Sequence, residues 1–238
     1  MKTMLYGIRV QLKMDIRSKT LLVTCYVVPL LFFAIMGGIF TSLMPEAKHT
    51  LIQSMTVMGV SMGALIGVPP SMIEVYSTDI KKMYIANGIP LCFGVIALVV
   101  SAFIHLMIMS IIIFALAPIV FHATIPSNIP LYFITLALFV IVSLAISCVL
   151  GLAIKNQAKL TMYSQVVFLP SIMLSGIMFS AELLPNFLES MGKLFPATWG
   201  YTLLIQKNIE VSTFIPLVFI LIISFFVSVQ LLKKIRSE

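Results

Sequence analysis

Long runs of apolar residues alternate with short polar segments along most of the chain. A helix needs about 20 apolar residues to cross the hydrocarbon core of a bilayer, and each run reaches about that length. The alternation typical of membrane strands is absent, which argues against a β-barrel. The pattern therefore predicts an all-α polytopic membrane protein with six transmembrane helices, at about residues 21–43, 51–75, 89–120, 131–154, 160–179 and 214–232.

The N-terminal segment, residues 1–19, has helical periodicity before the first apolar run. Its basic residues group away from an apolar stripe, as in an amphipathic helix that lies in a membrane surface. The segment is therefore predicted to be an interfacial helix, and the alternative is a cytoplasmic extension of the first span. The stripe consists of Met1, Met4, Leu5, Ile8, Leu12 and Ile16.

The segment between the fifth and sixth runs is too apolar for a solvated loop and too short for another pair of spans. We expect a short amphipathic or re-entrant helix on the outer face, within residues 181–196, and Trp199 and Tyr201 in the outer aromatic belt. The apolar residues that suggest the helix are Leu183, Leu184, Phe187, Leu188, Met191 and Leu194.

Composition leaves room for a single transmembrane domain over residues 1–238. The chain is 61% hydrophobic and 10% charged, with a mean hydropathy of +1.14, whereas soluble domains are about a quarter charged. Cys25, Cys92 and Cys148 all lie in apolar runs without metal-ligand spacing, so we expect buried, inert thiols.

Basic residues predict the orientation. With both termini inside, twelve Lys and Arg residues fall in inner segments and three in outer ones, as the positive-inside rule requires. The net charge of +7 is thereby interpreted as a topology signal and not as a nucleic-acid site. The predicted location is the cell membrane, multi-pass, with both termini cytoplasmic.

Signatures of catalysis and nucleotide binding are missing from the sequence. It has no GxxxxGK[ST] phosphate loop, no HExxH motif and no aspartate pair within a span. His105 lies deep in an apolar run, where it could relay protons or, as we expect, hydrogen-bond to a neighbouring helix. We therefore predict no catalytic, cofactor-binding or metal-binding residue in this chain.

The second run carries a glycine at every fourth position, at Gly59, Gly63 and Gly67. Such a row lines one helix face and lets a neighbouring backbone approach closely. We favour a packing groove within the chain over a subunit interface. Pro69 and Pro70 follow and should kink or break the inner part of this span.

The inner loop after the second run, residues 74–90, resembles a short helix that ends at Asn87-Gly88. It combines basic and apolar residues, as a helix that docks a soluble partner would, although spacing alone fits an ordinary topology-setting loop equally well. The residues proposed to couple to such a partner are Asp79, Ile80, Lys81, Lys82, Met83 and Tyr84.

These features together resemble the membrane subunit of type-2 ABC transporters, an exporter family. The amphipathic N-terminal helix is similar to the connecting helix of that family, and residues 79–90 resemble its first cytoplasmic coupling segment. Residues 168–201 resemble its span-five and outer-helix pattern, although Ser180 stands where the family usually has Pro. The motif positions of that pattern are filled by Pro170, Ser175, Gly176, Phe179, Pro185, Pro196, Thr198 and Tyr201.

The resemblance implies a permease that exports an amphiphilic or hydrophobic cargo such as a lipid, peptide or drug. It implies a separate ATPase that holds ATP and Mg²⁺, a second membrane subunit in a homo- or heterodimer, and movement of spans one, two and five. The alternatives are a secondary carrier or channel, which would need buried charges, and a membrane assembly factor without ATP coupling.

Overall fold

The computed structural model describes residues 2–77, 79–178, 184–206 and 210–237, with the backbone alone for residues 2–4 and Asp79. All regular secondary structure in these ranges is helical. The helices are α1 Lys2–Arg17, α2 Lys19–Leu43, α3 Leu51–Tyr76, α4 Asp79–Ala86, α5 Leu91–Phe121, α6 Ile129–Ala153, α7 Gln157–Met173, α8 Asn186–Gly192, α9 Pro196–Ile205 and α10 Val211–Ser237.

Five of these helices are long and apolar enough to cross a membrane, namely α2, α3, α5, α6 and α10. The prediction of an all-helical, multi-pass membrane protein is confirmed to that extent. The fifth predicted span, residues 160–179, corresponds to α7, which has 17 residues and ends at Met173. A crossing by α7, and with it the count of six, stays a prediction.

Polar side chains mark where three of the helices begin. The hydroxyl of Ser18 accepts a hydrogen bond from the Leu21 amide at the start of α2. The side-chain oxygens of Asn128 and Asn156 accept from backbone amides at the starts of α6 and α7. These caps satisfy amide groups that lack a partner within the helix, which matters most at a membrane boundary.

The central element of the bundle is α3, which is buried along almost its whole length. It contacts α2, α5, α6, α7 and α9. By contrast, α2 and α10 are mostly uncovered, with large apolar side chains on the surface. Since α3 packs against most of the other spans, a displacement of α3 would also shift those helices.

One turn of π-helix interrupts each of the first two spans, at Val23–Val27 in α2 and at Gly63–Gly67 in α3. The two turns pack against each other. A bend at Val68 follows the second turn, and α-helix resumes at Pro69. Local rewinding of this kind often marks a functional site.

The N-terminal helix α1 packs against the first half of α5. A Cβ atom at Gly7 would overlap the Phe93 ring, so the two helices approach closely here. Among the apolar residues predicted to form one stripe, Leu5 and Ile16 are exposed, whereas Ile8 and Leu12 are partly covered. The packed face is therefore rotated from the predicted stripe.

The outer segment forms two short helices, α8 and α9, where the sequence suggested one helix within residues 181–196. The second helix, α9, packs against α3, α6 and α10. It approaches α6 so closely that a Cβ atom at Gly200 would overlap the Phe139 ring. Trp199, expected in an aromatic belt, donates a hydrogen bond from Nε1 to the Lys193 carbonyl at 2.7 Å. This contact joins the end of α8 to α9.

The prediction that all three thiols are buried is wrong for one of them. Cys25 and Cys148 are buried, but Cys92 is exposed. Cys92 is the second residue of α5, two positions after Pro90, at the end of the bundle. An apolar run indicates which residues form a span, but the side chains of its terminal turn can extend beyond the neighbouring helices and so remain exposed.

Candidate functional site

The end of the bundle that carries α4 is called the inner face, and the opposite end the outer face. On the inner face, α4 ends at Ala86 and is closed by Asn87 and Gly88. The Asn87 side-chain amide donates to the Met83 carbonyl at 2.8 Å, and the Ile89 amide donates to the Tyr84 carbonyl at 2.8 Å. Gly88 has φ +67°, the left-handed conformation that commonly ends a helix.

Two tyrosines fasten the α3–α5 connection, which contains α4, to the bundle. The Tyr76 hydroxyl, at the end of α3, donates to the Leu91 carbonyl at 2.6 Å and is buried. The Tyr84 ring is half-buried and lies close to Gly94 of α5, where an added Cβ would be 2.9 Å from the ring. The ends of the α3–α5 connection are therefore tied together, and α4 is held over the start of α5.

The apolar surface that α4 presents differs in part from the one expected. Ile80 and Met83 are exposed, Met83 by 63%. Tyr84, which was expected beside them, packs against the core. Ile85, which the sequence analysis did not single out, is exposed. The side chain of Asp79 lies outside the described residues.

The two lysines of α4, Lys81 and Lys82, line a cavity of about 410 Å³ on the inner face. The cavity is also lined by Lys155, which follows the end of α6, and by Ile235 from the end of α10. Two separate parts of the chain, α4 and the segment after α6, thus bring positive charge to one recess beside α4.

On the outer face, a cavity of about 490 Å³ lies between the ends of α2 and α3, the turn after α7, and α9. Its walls are largely apolar, with several hydroxyl groups and the carboxylate of Glu46. Four of the eight residues singled out as an outer motif line it, although they come from two separate segments of the chain: Ser175, Gly176, Thr198 and Tyr201.

Hydrogen bonds and one special backbone conformation shape this cavity. Gly176 has φ +83°, which turns the chain sharply after α7. The Thr198 hydroxyl donates to the Gly192 carbonyl at 2.6 Å and joins α8 to α9. The Ser54 hydroxyl of α3 donates to the Tyr201 hydroxyl at 3.3 Å.

The remaining motif residues do not line the outer cavity. Pro170 lies inside α7, Pro185 immediately precedes α8, and Pro196 is the first residue of α9. Proline at these two helix starts is favourable because its missing amide would have no partner within the helix. Phe179 lies outside the described residues.

The glycines of α3 lie opposite α2 and α5. A Cβ added at Gly67 would lie 3.1 Å from both the Cys25 sulfur and the Thr24 hydroxyl oxygen of α2. One added at Gly59 would lie 2.9 Å from the Met109 side chain of α5, and one at Gly63 would meet Leu106. In the described chain, all three glycines therefore border close contacts with neighbouring helices.

The buried histidine makes the helix-to-helix hydrogen bond expected of it. His105 Nδ1 of α5 lies 2.7 Å from the Tyr26 hydroxyl of α2, and the two rings meet edge-to-face. That prediction is confirmed. The bond joins α2 to α5 at the π-helical turn of α2, which contains Tyr26.

A buried carboxylate was missed by the sequence analysis. Asp15 of α1 is only 4% exposed. It accepts hydrogen bonds from the Gln11 amide at 2.8 Å and from the Ser101 hydroxyl of α5. The available signal was an acid three residues after Leu12, next to the apolar stripe, because residues three apart are neighbours on a helix.

The sequence of residues 6–209 matches the family model described as ABC-2 type transporter. The match covers most of α1 and all of α2 to α9, and therefore includes both the α4 surface and the outer cavity. No curated protein matches the chain.

Proposed function

The chain belongs to the ABC-2 type transporter family, and from that premise we propose that it exports an amphiphilic or hydrophobic cargo. Membership makes it a permease component of an ABC transporter, in which ATP hydrolysis belongs to a partner ATPase. We propose three things beyond family membership: the direction of transport, the class of cargo and the residues that couple the permease to the ATPase. The observation that carries it is the family match over residues 6–209.

In this proposal, α4 is the coupling helix on which the ATPase docks. It presents Ile80, Met83 and Ile85 to the surface in a basic region. A loop that only set topology would need lysines and not exposed apolar side chains. Burial of such side chains by a partner is the main source of docking energy.

Motion of α4 would reach the membrane helices through its anchors. The Tyr84 packing holds α4 to the start of α5, and the Tyr76 hydroxyl bond ties the end of α3 to the same region. Because α3 is the central helix, a push on α4 would displace the element that contacts most of the others. We propose that α2, α3 and α7 shift together when the ATPase closes on ATP.

The outer cavity would form the exit of the cargo path. It lies at the outer ends of α2 and α3 and beside the turn after α7, which are the three elements proposed to move. Its mainly apolar walls, with hydroxyl groups and one carboxylate, suit an amphiphilic molecule better than a small ion. A lipid, a peptide or a drug would satisfy this description.

The proposed topology has six crossings, with both termini cytoplasmic. Helix α7 would make the fifth crossing, because its 17 residues rise about 25 Å and the following turn adds further length. The distribution of basic residues supports the orientation. A single membrane domain would then assemble with a second membrane subunit, identical or different.

The docking test uses two side chains that do not build the core. Ile80→Ala with Met83→Ala should reduce co-purification of the ATPase and cargo-stimulated ATP hydrolysis, since truncating central interface anchors typically costs about 1–2 kcal/mol or more. The matched control is Met162→Ala, which shortens an exposed methionine of α7.

Membrane insertion and thermal stability should remain normal in both the double variant and the Met162→Ala control, because the altered side chains are exposed. Wild-type levels of both co-purification and stimulated hydrolysis in the double variant would exclude α4 as the docking helix. Transport that continues without any ATPase would instead favour a secondary carrier, for which the buried Asp15 is a supporting observation.

A further inference from the structure

A groove of about 500 Å³ on the inner face lies apart from the outer cavity and borders the coupling surface, with which it shares Ile85. It is formed by the α4–α5 connection on one side and by the last turns of α10 on the other. Ile85, Ile89, Val229 and Leu232 supply apolar walls. The groove is large enough for part of a lipid-sized molecule.

Two cations lie at the mouth of this groove. Lys233 and Arg236 are three residues apart on α10, so they are neighbours on the helix surface, and both are exposed. Among the described residues that line the groove there is no carboxylate. Its charge therefore complements an anionic group, while its walls complement hydrocarbon.

The apolar side of the groove continues along the surface of α10. Phe225 and Phe226 precede Val229 by four and three residues, and both are exposed. Residues at these spacings share one helix face. A hydrocarbon chain that begins between α4 and α10 can therefore extend over these rings into the membrane.

We propose that this groove binds an anionic phospholipid. Its phosphate would lie at Lys233 and Arg236, and an acyl chain would run past Val229 towards Phe225. A soluble phosphate would leave the apolar walls unoccupied, and a zwitterionic lipid would make poorer use of the two cations. The lipid would also touch Ile85, so on the proposed function it would brace the coupling helix.

The groove contains its own reporter of occupancy. Cys92 lines it and is exposed, whereas Cys25 and Cys148 are buried. The rate at which a maleimide alkylates Cys92 can be measured on the purified full chain in detergent micelles, without ATPase or cargo. A failure of the export proposal would leave this measurement unaffected.

Phosphatidylglycerol added to the micelles should slow alkylation, whereas phosphatidylcholine and soluble glycerol phosphate should not. At a lipid concentration about twice its dissociation constant, the rate should fall about threefold, because only the unoccupied protein reacts. Equal protection by phosphatidylcholine, or no protection by phosphatidylglycerol, would overturn the proposal. Protection by glycerol phosphate alone would overturn the assignment to a lipid.

Charge variants locate the headgroup. Lys233→Gln with Arg236→Gln should abolish protection by phosphatidylglycerol. The control, Lys19→Gln with Lys159→Gln, removes the same charge from exposed positions outside the groove and should keep the protection. If the first pair is still protected, or if both pairs lose protection equally, the phosphate is not held at α10 and the proposal is wrong.

Discussion

The contact between Asp15 and Ser101 should hold α1 on the transmembrane bundle. The Ser101 hydroxyl and the Gln11 amide are the described side-chain donors to the Asp15 carboxylate, and both Asp15 and Ser101 are buried. Ser101→Ala removes one donor and preserves helix propensity. Asp15→Ala removes the acceptor, and the two changes together complete a double-mutant cycle.

Two general values bracket the coupling energy. Hydrogen bonds to charged groups contribute about 1.5–3 kcal/mol in proteins. Side-chain bonds between transmembrane helices average only about 0.6 kcal/mol and reach about 1.7, because the unfolded state in the membrane also finds partners. The carboxylate is buried but keeps the Gln11 bond, so we expect a coupling of about 1–2 kcal/mol, a factor of about 5–30 in the folding equilibrium.

The assay is reversible unfolding in mixed detergent micelles for the wild type, the two single variants and the double variant. Ser110→Ala is the matched control, because Ser110 is buried on the same helix but bonds to the Leu106 carbonyl of its own backbone. It should show no coupling to Asp15→Ala. A coupling energy for Ser101 within about 0.3 kcal/mol of zero would mean that this bond does not fasten α1.

Two further predictions concern topology and packing. Cysteines placed at Glu46 or Asn128 should react with an impermeant thiol reagent from outside intact cells, and one at Gln157 should not; the reverse pattern would refute the proposed orientation. Gly67→Val should destabilise the protein by about 1–3 kcal/mol, because the added methyl groups meet the side chains of α2 at close range. Gly38→Val is the control, since a Cβ there meets its nearest neighbour only at 3.9 Å; equal melting temperatures for the two variants would contradict the packing argument.

The sequence alone located the elements that the bilayer itself dictates. The third apolar run, residues 89–120, corresponds closely to α5 at Leu91–Phe121. Lipid makes apolar length almost sufficient to define a span, because every backbone polar group must be paired within the helix. The end of the short inner helix α4 could also be predicted from the sequence, since Asn87 and Gly88 are residues that commonly terminate a helix.

Other features required the tertiary structure because they join residues far apart in the chain. The Asp15 partner lies 86 residues away, and the outer cavity combines the turn after α7 with α9. Tyr84 looked like a docking residue, yet it packs on Gly94. Cys92 looked buried, yet it lines an open groove.

The physical reason is that hydrophobicity in this chain does not distinguish a core from a lipid-facing surface. Both are apolar, so the sequence pattern reports which residues enter the membrane but not which side of a helix meets another helix. That choice depends on small residues, matched shapes and scattered polar pairs between helices. The spans were therefore determined by the sequence, and the tertiary structure decided which of their faces could form a cavity, a groove or a docking surface.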